Sequence, residues 1–360
     1  MKVGTGLARG HQATPELAAE AVRQALDHAE LEIANSVLLF LSRDFAGNPQ
    51  PALQAAAKEA STIQVSGCSS HGIFTEEEWV LDVPAAAAMV LGDGVALSGA
   101  RQAGDLLLTL TAPNALNATW MHLSGARFGG VAGDATGRGQ FSVWENGKGA
   151  SRGYCELGLH GAVGEVVAAH SVKRIGAPQR IEKVNGHDVM LLSSQTAWAS
   201  LNNTLDIHGV DVAAGAPYHR LMVMLAEDEP ALLRGDYQLA SIIGADAASQ
   251  SVTLAKEIAT GSWLAWGILD AEAAQQNLLT QIESASGRLP GHPAFGLMFS
   301  CLARGPHLYD GIDRDIALLK HCYPGMPVIG FYGNGEIAPV HGRNELLQHS
   351  VVLALFAAES

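Results

Sequence analysis

Two short segments near the C-terminus carry most of the side chains that could bind a ligand. Residues 299–305 read Phe-Ser-Cys-Leu-Ala-Arg-Gly, and residues 330–336 read Gly-Phe-Tyr-Gly-Asn-Gly-Glu. Each segment begins at or near the end of an apolar run typical of a buried strand, and ligands of open α/β sheets bind beyond the carboxyl ends of strands. The polar side chains expected to converge there are Arg304, Tyr332, Asn334 and Glu336.

These side chains favour a small polar ligand. Arg304 offers two donors to a carboxylate or phosphate, and Glu336 could hold an amine or balance the arginine. The structural alternative is an ion pair between Arg304 and Glu336 that only caps the strand ends. The residue types are compatible with both interpretations.

A loop near the N-terminus has the same spacing of glycines. Residues 67–72 read Gly-Cys-Ser-Ser-His-Gly, and residues 330–335 also begin and end with glycine. Cys68 beside His71 could form a thiolate–imidazole nucleophile, and Cys301 offers a second thiol. Three residues of loop do not fix that geometry, so we expect Cys68, Ser69 and Cys301 to contact a ligand and not to catalyse a reaction.

Other chemistries lack their signatures. Residues 333–338 fit the relaxed dinucleotide fingerprint, but Pro339 follows at once and no helix is predicted after it. Residues 149–153 match the pattern G-x-S-x-G around Ser151, but they lie next to a predicted turn. A nucleophile elbow requires a strand before the motif and a helix after it. The fourteen histidines show no recognised metal-ligand spacing. A single histidine or cysteine can ligate haem, so haem remains a candidate cofactor.

The elements that must position these residues occur in the same order at both ends of the chain. Each end is predicted to contain a strand, a helix, a second strand and a glycine loop: Val37–Leu41, Pro51–Ala60 and Ile63–Val65, then Gly296–Phe299, Asp313–His321 and Met326–Gly330. The first strand of each pair is predicted to end at a serine, Ser42 or Ser300, and the second strand at or before its glycine. Any two α/β segments can share this outline, so a duplication is a hypothesis.

The predicted fold class is α/β, with two α/β domains, mixed sheets and pseudo-duplicated N- and C-terminal units. Residues 202–217 are polar and rich in turn formers, and they separate the two halves. The predicted domains are therefore residues 1–200 and 201–360.

Composition excludes several functional classes. The net charge is −14 and no cluster of five or six basic residues occurs, which argues against nucleic acid as a partner. No apolar run approaches the roughly 18 residues of a membrane-spanning helix, and the N-terminus lacks a signal-peptide run. Four scattered cysteines do not form a disulfide framework. We expect a cytoplasmic protein with no membrane partner.

The segments described above resemble the FIST family, whose members pair an N-terminal and a C-terminal FIST domain. The resemblance to FIST-N rests on residues 3–6, 65–72 and 128–134, and that to FIST-C on residues 299–305 and 330–339. It implies a bacterial-type sensory protein for small ligands, proposed to be amino acids or their derivatives. One branch of the family binds haem and senses nitric oxide, and eukaryotic relatives carry an F-box.

The residues and the resemblance together predict a stand-alone small-ligand sensor that is not an enzyme. Because 360 residues leave no room for an output domain beside the FIST region, we expect a separate signalling protein, such as a kinase, to receive the signal. The alternatives are a haem-based nitric oxide sensor and a hydrolase that uses Cys68, Cys301 or Ser151.

Overall fold

The computed structural model describes residues 1–99, 106–133, 140–210, 217–235, 237–340 and 342–359. The chain forms two compact units. Unit 1 comprises Met1–His170 and Gln275–Ser360, and unit 2 comprises Ser171–Ala274. The α/β class with mixed sheets that the sequence predicts is confirmed.

Unit 1 contains three six-stranded sheets. Sheet I has the order β1 (Lys2–Arg9), β6 (Ala85–Gly92), β2 (Ser36–Ser42), β3 (Val65–Ser70), β10 (Val143–Glu145) and β11 (Lys148–Gly149). Sheet II has the order β7 (Ala96–Ser98), β12 (Tyr154–His160), β8 (Leu106–Thr111), β9 (Ala126–Val131), β24 (Glu336–Val340) and β25 (Arg343–Leu347). Sheet III has the order β13 (Ala162–His170), β26 (Ser350–Ala358), β22 (Phe295–Cys301), β23 (Val328–Gly333), β4 (Gly72–Thr75) and β5 (Trp79–Leu81).

The helices of unit 1 connect these strands. They are α1 (Pro15–Ala29), α2 (Gln50–Glu59), α3 (Ala118–Met121), α6 (Ala271–Arg288, in unit 1 from Gln275 on), α7 (Gly305–Leu308) and α8 (Arg314–Cys322). Helix α1 begins with Thr14 at the N-cap and Pro15 in its first turn. None of the helices in the described ranges combines the length and apolarity that crossing a bilayer requires.

The three sheets have the same connectivity. In each of them a central parallel pair, β2/β3, β8/β9 or β22/β23, is flanked on both sides by antiparallel strands. The hairpin that follows each parallel pair along the chain adds its strands to a different sheet: β4–β5 joins sheet III, β10–β11 joins sheet I and β24–β25 joins sheet II. Unit 1 therefore consists of three copies of one motif, residues 2–92 (copy 1), 96–160 (copy 2) and 162–358 (copy 3, which unit 2 interrupts).

The pseudo-duplicated units predicted from the sequence correspond to copies 1 and 3, and copy 2 was missed. The helix between the parallel strands has ten residues in copy 1 and nine in copy 3 but only four in copy 2. A single turn leaves no helical periodicity in the sequence. Residues 134–139 lie outside the described residues, and they include residue 134, the last of the FIST-N-like segment 128–134.

The inner faces of the three sheets share one apolar core. Phe40 of sheet I lies against Phe299 and Phe331 of sheet III, with ring centroids 6.3 and 5.0 Å apart, and Phe128 of sheet II lies 6.3 Å from Phe299. Edge-on and tilted arrangements of this kind are favourable for buried aromatic rings. On the outside, α1 and α2 cover sheet I, and α6 and α8 cover sheet III. The three copies are thus held together by a core that none of them completes alone.

The predicted glycine loops are largely strand. Gly67 and Gly330 were expected to end β3 and β23, but both lie inside these strands. A Cβ atom at Gly67 would lie 1.8 Å from the Leu39 carbonyl oxygen, and one at Gly330 would lie 1.8 Å from that of Met298. The glycines are therefore needed for close strand approach and not for turning the chain.

Replacing Gly330 by alanine is expected to destabilise unit 1 by about 1–3 kcal/mol, because the new methyl group overlaps the Met298 carbonyl and the Phe74 ring. The matched control is Gly287→Ala in α6, where no atom lies within 4 Å of the added Cβ. That change should stabilise the helix by about 0.5–1 kcal/mol. Urea denaturation of both variants measures the difference, and equal midpoints would contradict the close approach.

The described residues of unit 2 form an antiparallel sheet with two helices, together with the first turn of α6. Its elements are β14 (Val172–Arg174), β15 (Gln179–Asn185), β16 (Asp188–Leu192), β17 (Gln195–Thr196), α4 (Ala197–Ile207), β18 (Leu221–Ala226), α5 (Glu229–Arg234), β19 (Gln238–Asp246), β20 (Ser251–Leu254) and β21 (Trp263–Leu269). Pairing runs from β21 through β15, β16, β20, β19 and β18 and returns to β21, so these strands form a closed ring.

The domain boundary predicted after residue 200 falls inside α4 of unit 2. Residues 211–216 of the predicted linker lie outside the described residues. The boundary stays a prediction about the two sequence-family domains, which are a different division of the chain from its compact units.

Candidate functional site

A cleft of about 410 Å³ opens where β22 and β23 end. The two strands are parallel, and Cys301 is paired with Gly333, so the chain leaves both strands at the same edge of sheet III. The residues that line the cleft are Cys301, Leu302, Ala303, His307, Gly333, Asn334, Gln348 and His349. The volume lies in the range of small-molecule sites. Of the residues that the sequence singled out, Cys301 and Asn334 line this cleft.

Arg304 lies behind the cleft and not on its surface. The side chain is fully buried, and its Nε and Nη2 atoms donate hydrogen bonds to the two carboxylate oxygens of Asp315 at 2.6 and 2.9 Å. The Tyr309 hydroxyl donates a further hydrogen bond to the same carboxylate at 2.6 Å. The two-point geometry that was expected to hold a ligand carboxylate is therefore taken by Asp315 of helix α8.

Tyr332 belongs to the same buried layer. Its hydroxyl donates to Asp313, the residue whose carboxylate caps the first turn of α8 by accepting the N–H groups of Asp315 and Ile316. Burial and the neighbouring Asp315 carboxylate raise the pKa of Asp313 to about 6. Arg304 and Tyr332 thus connect the ends of β22 and β23 to the start of α8.

Glu336 is fully buried next to the thiol of Cys301. The Ser350 hydroxyl donates a hydrogen bond to its Oε2 atom. Burial raises the pKa of Glu336 well above its usual range, which favours the protonated, uncharged form of the carboxyl group. Burial and the nearby Glu336 raise the pKa of Cys301 to about 12, although hydrogen bonds from three backbone N–H groups partly offset this. The cleft therefore contains a thiol and not a thiolate.

Several polar atoms around this strand end are buried without a hydrogen-bond partner among the described residues. Those in or next to the residues that line the cleft are Asn334 Nδ2, Glu336 Oε1 and His349 Nδ1, and Ser300 Oγ near the end of β22 is a fourth such atom. Buried polar groups are nearly always paired in native proteins, so each exception requires an explanation. His349 also has a φ of 52°, a backbone conformation that residues other than glycine rarely adopt. Burial lowers the pKa of its imidazole, which is neutral at pH 7.

The equivalent strand ends of copies 1 and 2 are built differently. In the first strand of each parallel pair, one residue lies opposite the glycine that lets the second strand approach closely. The residue three positions further along the chain is Ser42 in copy 1, Ala112 in copy 2 and Cys301 in copy 3. The Ser42 hydroxyl donates to Asp44 and accepts the N–H of Ala85, so it is fully paired. Alanine carries no polar group. Of the three equivalent positions, the one in copy 3 therefore combines a thiol with unpaired polar neighbours.

The structure does not bring Cys68 and Ser69 to the cleft. Cys68 is fully buried in the shared core, where burial raises the pKa of its thiol well above the usual value. Ser69 exchanges hydrogen bonds with the backbone of Ser142. The neighbouring Ser70 donates to the Tyr332 carbonyl oxygen and links copy 1 to copy 3. These residues connect strands.

The sequence interpretation missed Gln348, His349 and His307. Gln348 and His349 directly precede β26, which pairs with β22. Their place at the cleft follows from sheet order, and the sequence offered only their position before the last apolar run as a signal. His307 is exposed on α7, the short helix that follows β22 in the chain.

The residues of the cleft do not fit haem. His307, His349 and Cys301 could each supply an axial ligand, but Leu302 and Ala303 are the only apolar side chains on the described wall, and a porphyrin needs extended apolar surfaces. A ligating histidine usually donates its second ring nitrogen to a fixed partner, and His349 Nδ1 has none among the described residues.

Metal binding and hydrolysis find no support in the described parts of the chain. No group of three or more His, Cys, Asp or Glu residues there is placed to hold a metal ion. Ser151 lies in a turn between β11 and β12 and not at the strand-to-helix elbow that a serine nucleophile requires.

Comparison with known proteins covers most of the chain. The FIST N domain matches residues 35–194 and the FIST C domain matches residues 199–339. The uncharacterized protein Mb0898c of Mycobacterium bovis is 26% identical over 383 residues that cover 99% of each chain. The uncharacterized protein Rv0628c of Mycobacterium tuberculosis is 26% identical over 394 residues that cover 99% of this chain and 100% of its own.

A human relative matches a shorter part. F-box only protein 22 of Homo sapiens is 36% identical over 70 residues, which are 19% of this chain and 15% of that protein. FIST domains are described as sensory domains for small ligands in signal transduction. With both domains matched in succession, the chain belongs to the FIST family.

Proposed function

We propose that this protein is a stand-alone sensor of a small ligand, an amino acid or a derivative of one, which binds in the strand-end cleft of copy 3. The observation that carries the proposal is the set of buried, unpaired polar atoms around an open cleft of about 410 Å³. Asn334 and His349 line the cleft, so a ligand with matching donors and acceptors that turns their side chains toward it would pair their polar atoms and recover the free energy that their burial costs.

The signal would pass through the segment between β22 and α8. This segment contributes Leu302, Ala303 and His307 to the cleft, and Arg304 fixes it to Asp315 at the start of α8. A ligand that binds one arrangement of this segment more tightly than another shifts the population toward it. A separate signalling protein, such as a kinase, would recognise the ligand-bound arrangement on the surface.

The test is to fill the cleft without removing a buried group. Ala303 is exposed on the cleft wall, so Ala303→Trp is expected to leave the protein folded and to block ligand entry. The full chain is screened by thermal shift against the amino acids and their amide and acyl derivatives. Compounds that raise the melting temperature of the wild type should leave that of Ala303→Trp unchanged.

The matched control is Ala13→Trp, at an exposed alanine before α1 and away from the cleft. This variant should respond to ligands as the wild type does. Two results would contradict the proposed site: a ligand that still stabilises Ala303→Trp, or a ligand whose effect both tryptophan variants abolish equally.

A further inference from the structure

Resting on the proposed function, we infer that the ligand presents an uncharged amide edge to the cleft, meaning a carbonyl group beside an N–H group. A free carboxylate, a phosphate or an ammonium group does not suit the site. The class comprises N-acylated amino-acid amides, cyclic dipeptides and other neutral carboxamides or lactams.

The charges around the cleft are the first support. None of the described residues on its wall is an aspartate, glutamate, lysine or arginine. The nearby guanidinium of Arg304 has its charge balanced by the two-point pair with Asp315. A charged ligand group would therefore lose water without gaining a counter-charge, which is costly.

The protonation states agree with this geometry. Burial raises the pKa values of Glu336 and Cys301 and lowers that of His349, which favours the uncharged form of all three side chains. The buried side of the cleft is thus polar and carries no fixed charge among these three residues. Its hydrogen-bonding groups select a ligand by the pattern of donors and acceptors and not by electrostatic attraction.

That pattern is balanced between donors and acceptors. Asn334 and Gln348 are carboxamides, each with an N–H₂ donor and a carbonyl acceptor, and the neutral imidazole of His349 has one of each. An amide edge pairs with a carboxamide through two parallel hydrogen bonds. A carboxylate has only acceptors and an ammonium group only donors, so either of them leaves part of the wall unpaired.

The experiment compares ligands that share a side chain and differ in which of their two ends is charged. For several side chains, the N-acetyl amino-acid amide, the N-acetyl amino acid, the amino-acid amide and the free amino acid are titrated into the full chain by calorimetry at pH 7, with cyclic dipeptides as a fifth class. We expect the neutral member of at least one series to bind about tenfold or more tightly than its anionic and cationic counterparts, because a site built for a hydrogen bond discriminates strongly against its loss.

Variants connect this preference to the cleft. Asn334→Asp and Gln348→Glu each replace a donor by a negative charge and are expected to weaken binding of the neutral ligand by about tenfold. Gln348 is exposed, so its variant should fold even if Asn334→Asp does not. Asn48→Asp, at an exposed asparagine outside the cleft, is the control and should bind as the wild type does.

The outcomes separate the two proposals. A charged member that binds as tightly as the neutral one, in a manner that Ala303→Trp abolishes, overturns the uncharged-ligand inference and leaves the sensor function standing. Absence of binding by every member also overturns the inference. If no compound outside the panel then binds in an Ala303→Trp-sensitive manner, the sensor site is contradicted as well.

Discussion

A chain in which residues 172–269 are replaced by a short Gly-Ser-Gly linker is expected to fold and to keep the strand-end cleft, whereas a chain that stops at residue 200 is expected to stay unfolded. The deletion follows the compact units, and the truncation follows the boundary between the two sequence-family domains. Comparing these two variants therefore shows which division of the chain is the folding unit.

The deletion is expected to succeed because the ends of unit 2 are adjacent. The N–H of Asp270 donates to the carbonyl of Ser171 at 2.9 Å, and Val172 pairs with Leu269. A few flexible residues span that gap. Asp270 stays in place and continues to cap the first turn of α6. Every strand of sheets I, II and III, and every residue of the cleft, is retained.

The truncation is expected to fail because each sheet of copies 2 and 3 draws strands from both sides of residue 200. Sheet III loses its central strands β22, β23 and β26, and sheet II loses β24 and β25. The rings of Phe40 and Phe128 lose their contacts with Phe299 and Phe331. The remaining chain exposes apolar surface and unpaired strand edges, and it cannot recover the entropy that folding costs.

Size-exclusion chromatography and urea denaturation followed by circular dichroism distinguish the deletion variant from the truncated chain. The deletion variant should be compact and should unfold cooperatively, and residues 1–200 should show neither property. A cooperative transition in residues 1–200 would contradict the exchange of hairpins between copies. An unfolded deletion variant would show that unit 2 contributes to the stability of unit 1.

The sequence predicted the helices better than the strand ends, because helix signals are local. Thr14 and Pro15 mark the start of α1, and Asp313 marks that of α8, where its side chain accepts two backbone N–H groups. Gly67 and Gly330 were taken as strand ends, yet they lie inside β3 and β23. Their role depends on a carbonyl of the neighbouring strand, and no pattern within the segment itself reports that neighbour.

The sequence predicted only those cleft residues that lie at the ends of predicted strands. Cys301 and Asn334 follow their strands directly, and they line the cleft. Arg304 was expected to contact a ligand, but its guanidinium is hydrogen-bonded to Asp315 at the start of α8. His349 reaches the cleft because β26 pairs with β22, a neighbour relation that the order of elements along the chain does not determine.

Replacing Asp315 by alanine is expected to destabilise the protein by about 3–5 kcal/mol, since it leaves the charge of Arg304 buried without its partner. Both side chains are fully buried, so water cannot take over the role of the carboxylate. The control is Lys320→Ala, which removes an exposed pair with Glu77 of similar length, 2.7 Å, and should cost about 0–1 kcal/mol. The shift of the urea midpoint of the full chain measures both effects.

A change of charge without a change of shape shows whether the ion pair or the packing is responsible. Asp315→Asn keeps the volume and one acceptor for the guanidinium, and it should still cost several kcal/mol because the buried charge remains uncompensated. The double variant Arg304→Met/Asp315→Leu removes both charges and should recover much of the loss.

A neutral effect of Asp315→Asn, or a double variant less stable than Asp315→Ala, would contradict the ion-pair account. The ion pair also limits the use of Arg304 variants in binding studies. Because its guanidinium fixes α8 to the end of β22, Arg304→Ala would reduce ligand binding by unfolding the cleft and not by removing a contact. Exposed positions on the wall, Ala303 and Gln348, are therefore the residues at which binding and folding can be separated.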